Sequence, residues 1–100
     1  MTDFAEIERR ARRELAAALR LIARFGWDDH VATHMSARLP DGSFLLNPFG
    51  LMFDEVTASC FLRVAIDGTV IDNPGGWPLN PAAFNIHAGV LAGRPDAMSV

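Results

Sequence analysis

The apolar positions of the first quarter of the chain recur at helical spacing. Ile7, Ala11, Leu15, Ala18, Leu19, Ile22 and Phe25 fall on one stripe, which predicts a helix of about 20 residues, roughly 30 Å long. Asp3 followed by Glu6 has the form of a capping box, and Gly26 sits where a helix ends in a left-handed residue. The pattern then changes. Val31 to Arg38 mixes β-branched and small residues without a helical period and predicts a strand. Pro40-Asp41-Gly42 is a turn signal, and Ser43 to Leu46 returns as the second arm of a hairpin. Asn47-Pro48-Phe49-Gly50 reads as a loop, and "FDEVTASC" as a short helical turn. Phe61 to Ile66 alternates and ends in Asp67-Gly68, the best hairpin dipeptide in the chain, after which Thr69 to Ile71 pairs back. Asn73 to Pro78 is irregular. A second helix runs from Pro81 to Ala92, with Asn80 as its cap and Pro81 at its first position. Gly93 to Asp96 breaks it, and Ala97 to Val100 opens a further strand. The order is that of an α/β domain, with no linker or composition shift inside it.

Composition narrows what such a domain does. Half of the 100 residues are hydrophobic and the net charge is -3, a globular balance. No apolar run approaches the roughly 18–20 residues of a membrane span, so no membrane partner is expected. The N-terminus is acidic and then Arg-rich, unlike a signal peptide. The single Cys60 allows no internal disulfide and reads as a small core residue, which suits a cytoplasmic setting. All nine basic residues are Arg. With no Lys there is no Schiff base, so carbonyl chemistry in this stretch needs another electrophile. Six of the Arg lie in residues 1–25 against four acids. Glu6 and Glu8 stand four before Arg10 and Arg12, the favourable order for intrahelical pairs, so this is a solvated face and not a nucleic-acid surface.

Three histidines carry the candidate chemistry. His30 and His34 are four apart, a zinc spacing on a helix, but on a strand at about 3.3 Å per residue they stand roughly 13 Å apart and cannot share an ion. His34 is either a hydrogen-bonded structural residue or a polar group lining a pocket. His87 is either satisfied in the core or faces a pocket near the start of its helix, an end that attracts anions. The Asn47–Gly50 loop can offer backbone N–H groups to an anion, although a turn is what Asn-Pro and Gly normally mean. Asp54-Glu55 are adjacent acids that point in different directions and mark a solvated turn. Nucleotide-binding glycine motifs, a nucleophile elbow and a CxxC are absent.

Taken in order, "THMSARLP", "FLLNPFGLMFDEVTAS", "DGTVID" and "NPAAFNIHAGVLAGRPDAMSV" resemble the class II aldolase/adducin family over nearly the whole chain. The resemblance implies a three-layer α/β/α domain with a central, largely antiparallel sheet, of which residues 1–100 are the N-terminal portion, continuing past residue 100. Enzymes similar to fuculose-phosphate aldolase hold zinc, or alternatively Mn or Fe, through histidines, and work as homotetramers with sites between subunits. The family's His-x-His would begin just after Val100, so no metal ligand is expected within residues 1–100.

Position by position the match is uneven. Ser36 and Arg38 match the family segment, while Thr33 and His34 replace a Gly-Asn. Pro48 and Gly50 match a Thr-Pro-Ser-Gly phosphate loop; Asn47 and Phe49 depart from it. Ala82 and Ala83 replace two phosphate-binding serines, Phe84 replaces the acid/base glutamate, and His87 matches a helix His. The resemblance therefore places His34, Ser36, Asn47, Gly50, Ala82 and Ala83 at substrate-binding positions and His87 at a catalytic one, with Phe84 in the acid/base place but not itself catalytic. A phosphate would lose donors worth about 1.5–3 kcal/mol each. The expectation is a metal-dependent lyase for a small non-phosphorylated carbonyl or hydroxy-acid substrate, acting by aldol cleavage or decarboxylation. The alternatives are a non-catalytic adducin-like module binding a cytoskeletal partner such as actin, and a metal-dependent oxygenase or dehydratase on the same scaffold.

Overall fold

The computed structural model describes residues 3–26, 34–48, 55–79 and 81–100. Helix α1 runs Phe4–Arg24, strands β1 Ser36–Arg38, β2 Phe44–Leu46, β3 Leu62–Val64 and β4 Val70–Asp72 follow, and helix α2 closes the series at Pro81–Gly93. The strands form one sheet in the order β1-β2-β3-β4, antiparallel throughout. Successive strand residues face opposite sides, and the core divides accordingly. Leu45 turns toward α1, joining Leu15, Leu19, Val56 and Phe61. Phe44, Leu46, Leu62 and Val64 turn the other way, against Ala83, Ala88 and Leu91 of α2. One helix thus covers each face. Cys60 is buried in the α1 cluster, where desolvation pushes its thiol up, as its reading as a core residue requires.

The ends of α1 follow the sequence. Asp3 accepts the Glu6 N–H at 2.8 Å, and Gly26 takes φ 73° after the cap at Phe25. Phe25 itself is 61% exposed, so it belongs to the cap and not to the buried stripe. The solvated face holds for Arg9, Arg10, Arg13, Arg20 and Arg24, which are exposed, but not for Arg12, which is buried. Glu8 pairs with Arg12 as its spacing predicts, whereas Arg10 pairs with Glu14 rather than Glu6. Arg12 Nε donates to Glu8 at 3.0 Å, Nη1 to the Phe61 and Ala58 carbonyls at 2.7 and 3.3 Å, and Nη2 to Asp72 at 3.4 Å. Glu8 also accepts from Arg63, which in turn bonds Asp41 and lies over the Phe4 ring. The alternating charges tie α1 to both hairpins.

Both hairpins close through three-residue loops of one design. Leu39 and Ser43 pair across Pro40-Asp41-Gly42, and Ala65 and Thr69 across Ile66-Asp67-Gly68. Each Asp accepts the N–H two residues on, at 3.0 Å for Asp41 and 2.9 Å for Asp67. Each Gly takes positive φ, 89° at Gly42 and 99° at Gly68. A Cβ at Gly42 would touch nothing within 4 Å, so the backbone alone sets its cost. Gly42→Ala is expected to lose about 1–2 kcal/mol, read as a lower urea midpoint with an unchanged slope.

The outer edge of β1 is not free. Ser36 exchanges hydrogen bonds with Val100 in both directions, at 2.8 and 3.2 Å, and the Arg38 N–H donates to Met98 at 2.7 Å. Ala97 to Val100 therefore does open an extended segment, bridged to β1 at Ala37 and Ser99. Arg38 fastens the same corner by donating to the Leu91, Arg94 and Ala97 carbonyls, which caps the C-terminus of α2.

Candidate functional site

The site is built where the segment before β1, the end of β2 and the inner face of α2 meet. In α2, Ala83, His87 and Leu91 are four apart and form the stripe turned toward the sheet. In the extended segment entering β1, His34 and Ser36 are two apart and point to the same side. That side is the α2 side, since Ser36 pairs with Leu46 in the register. Both therefore reach His87. Ser36 Oγ lies 2.6 Å from His87 Nδ1, and His34 Nδ1 lies 2.5 Å from His87 Nε2. The two rings meet edge-on, with centroids 4.6 Å apart. Asn47, buried after β2, accepts the Met35 N–H at 2.8 Å and so holds the residue between His34 and Ser36.

His87 is 1% exposed. Burial first, and the neighbouring His34 second, lower its pKa from 6.5 to about 4. It is neutral at pH 7 and carries one ring proton. Two arrangements satisfy the chain: Ser36 donates to Nδ1 while Nε2–H donates to His34, or each bond runs the other way. In either arrangement both ring nitrogens of the buried imidazole are hydrogen-bonded while the ring stays uncharged. The stability consequence has a definite sign. The unfolded chain takes up a proton near pH 6.5 that folded His87 refuses until about pH 4. Its contribution is whole above pH 6.5 and falls as the pH drops, by on the order of 3 kcal/mol at about pH 4. Urea melts at pH 7.5 and pH 4.5 are expected to differ by an amount that His87→Leu removes.

The other expected positions are spread around this centre. Ala82 is exposed in the first turn of α2, and Ala83 is wholly buried against the sheet. Phe84 is half-buried, stacked on Phe44 with centroids 6.1 Å apart and lying against Gly68. Pro48 is buried. Gly50 and Phe49 lie outside the described residues, as do His30, Thr33, Asp54 and the cap Asn80. The partnership of His34 with His87 was missed from the sequence; the signal was the two-residue step from His34 to Ser36, which fixes a shared face.

The described residues do not fit a metal ion. No group of three His, Cys, Asp or Glu among them could hold one. Nor is any helix among the described residues long and apolar enough to cross a membrane.

Comparison with known proteins agrees with this architecture. A Caulobacter vibrioides protein provisionally called a class 2 aldolase is 48% identical over 95 residues, covering 93% of this chain and 37% of that protein. Mouse alpha-adducin is 38% identical over 96 residues, 93% of this chain and 13% of the adducin. The structure of L-fuculose 1-phosphate aldolase from Glaciozyma antarctica superposes with a TM-score of 0.89 at 33% identity, covering 99% of this chain and 41% of the aldolase. The chain thus spans little more than a third of the length of the Caulobacter relative. Residues 13–100 match the Class II Aldolase and Adducin N-terminal domain, and with a match of that extent the chain belongs to the class II aldolase/adducin family.

Proposed function

We propose that this chain is the N-terminal portion of a three-layer α/β/α class II aldolase-type lyase that acts on a small, non-phosphorylated carbonyl or hydroxy-acid substrate. The observation that carries this reading is the buried Ser36–His87–His34 chain. It sets a neutral, doubly hydrogen-bonded imidazole one turn along the helix whose acid/base position holds Phe84. His87 is the group through which a proton passes, His34 the half-buried end that meets the substrate, and Ser36 the partner that orients the ring. Ala82 and Ala83 bring no side-chain donor to the first turn of α2, which disfavours a phosphorylated sugar. Asn47 holds the His34–Ser36 segment, and Gly50 completes the loop beyond it. A divalent ion, zinc or in its place Mn or Fe, would be held by histidines outside the described residues of a homotetramer; carbonyl polarisation is the chemistry such an ion supplies.

The test is turnover by the full chain on a panel of small keto acids, hydroxy acids and aldol adducts, each beside its phosphate ester. Cleavage of unphosphorylated compounds, ended by a chelator and restored by a divalent ion, is the expected result. Cleavage of the phosphate esters alone overturns the substrate class. The 38% identity to alpha-adducin favours a second reading, a protein-interaction module. Absence of turnover together with cosedimentation on actin filaments selects it. Turnover that needs oxygen selects an oxygenase.

A further inference from the structure

A cavity of about 290 Å³ lies on the opposite side of the sheet from His87. It is lined by Arg9, Arg12 and Arg13 of α1, Ala58 and Ser59 from the turn before β3, and Pro74 from the turn after β4. Arg9 and Arg13 are one turn apart and exposed, and among the described residues neither makes a hydrogen bond or an ion pair. Like charges at this spacing repel, and among the described residues no acid of α1 pairs with either. Arg12 at the back is committed to Glu8, Asp72 and two carbonyls, but Glu8 is shared with Arg63 and Asp72 stands 3.4 Å away. The pocket therefore keeps a positive surplus of about two charges. Its walls are otherwise apolar, Ala58 and Pro74, with the Ser59 hydroxyl 3.3 Å from that of Thr57 and able to turn and donate inward.

We propose that this pocket binds a small phosphate monoester. Arg9 and Arg13 grip the dianionic head in the paired geometry that guanidinium groups give to phosphate, Ser59 adds a neutral donor, and the ester body packs on Ala58 and Pro74. Two unpaired cations match a dianion better than a carboxylate. At this volume the ligand is at the small end of what protein pockets hold. Because the pocket opens on the α1 side, the phosphate it takes does not reach Ser36, His34 or His87.

Calorimetric titration of the full chain with phenyl phosphate tests this, with inorganic phosphate and phenylacetate as comparisons. Saturable binding is expected, tighter for phenyl phosphate than for either comparison. The double variant Arg9→Gln/Arg13→Gln weakens it roughly tenfold or more. Arg24→Gln, exposed at the far end of the same helix, changes it by less than about twofold. Both changed arginines are exposed, so unaltered thermal melts are expected for the double variant. The proposal is overturned if phenyl phosphate does not saturate, if the double variant binds like the parent, if Arg24→Gln weakens binding as much, or if inorganic phosphate binds as tightly as the ester.

Discussion

Arg12→Met is expected to lower the stability of the full chain by about 3–5 kcal/mol. The side chain is 7% exposed and Glu8 beside it 14%. Removing the guanidinium strips the Phe61 and Ala58 carbonyls of their donor and leaves Glu8 with Arg63 alone. Methionine fills a similar volume, so little of the loss comes from a void; most is the desolvation of groups left unpaired. Against a total of about 5–15 kcal/mol this is enough to populate the unfolded state at ambient temperature. Lysine does not rescue it, because one ammonium cannot reach a carboxylate and two carbonyls in the fork geometry of arginine. Arg10→Met supplies the contrast. Its pair with Glu14 is 76% and 67% exposed, and less than about 0.5 kcal/mol is expected. Urea melts of the three variants check the ranking. A loss at Arg12 no larger than that at Arg10 would show that the network is not what joins α1 to the hairpins.

His87→Leu is the variant expected to matter most for chemistry. On the proposed lyase reading it lowers kcat/KM by about 10²–10⁴-fold, the usual contribution of a positioned acid or base. Leucine keeps the bulk between Ala83 and Leu91, so the helix stays docked. Ser36→Ala is expected to cost less, because it removes the group that orients the ring and leaves the His34–His87 bond in place. The pH profile separates proton transfer from mere support: the limb set by His87 is lost in His87→Leu and shifted in Ser36→Ala. Activity of His87→Leu within about threefold of the parent assigns the buried histidine to packing alone and removes the proton carrier from the proposed reaction.

What could be read in advance was local. The Asp3 cap, the Gly26 stop, both Asp-Gly turns and the Pro81 start depend on residues within a few positions of one another. The pattern places β2, β3 and β4 to within one or two residues; of Val31 to Arg38 only Ser36–Arg38 joins the ladder, with 31–33 outside the described residues, and Ala97 to Val100 contributes a single bridge at Ser99. What escaped depends on docking. Arg12 reads as solvated because an isolated helix shows only its own i±4 partners, whereas its decisive acceptors lie 46 to 60 residues away. The same holds for His34 and His87, 53 positions apart. A polar residue on an apolar stripe announces that a partner exists; which partner is settled by how α2 crosses the sheet.

The hydrogen bonds between Ser36 and Val100 bear on how the chain is made. β1 and β2 can zip together soon after both leave the ribosome, since only five residues separate them. The other edge of β1 must wait for residues 98–100, some 60 residues later. At about 5–20 residues per second that is a gap of roughly 3–12 s in which a nascent chain displays an unpaired strand. Crowded polysomes translating this message offer identical segments to one another during that interval, so its yield is expected to fall when elongation pauses between residues 46 and 98.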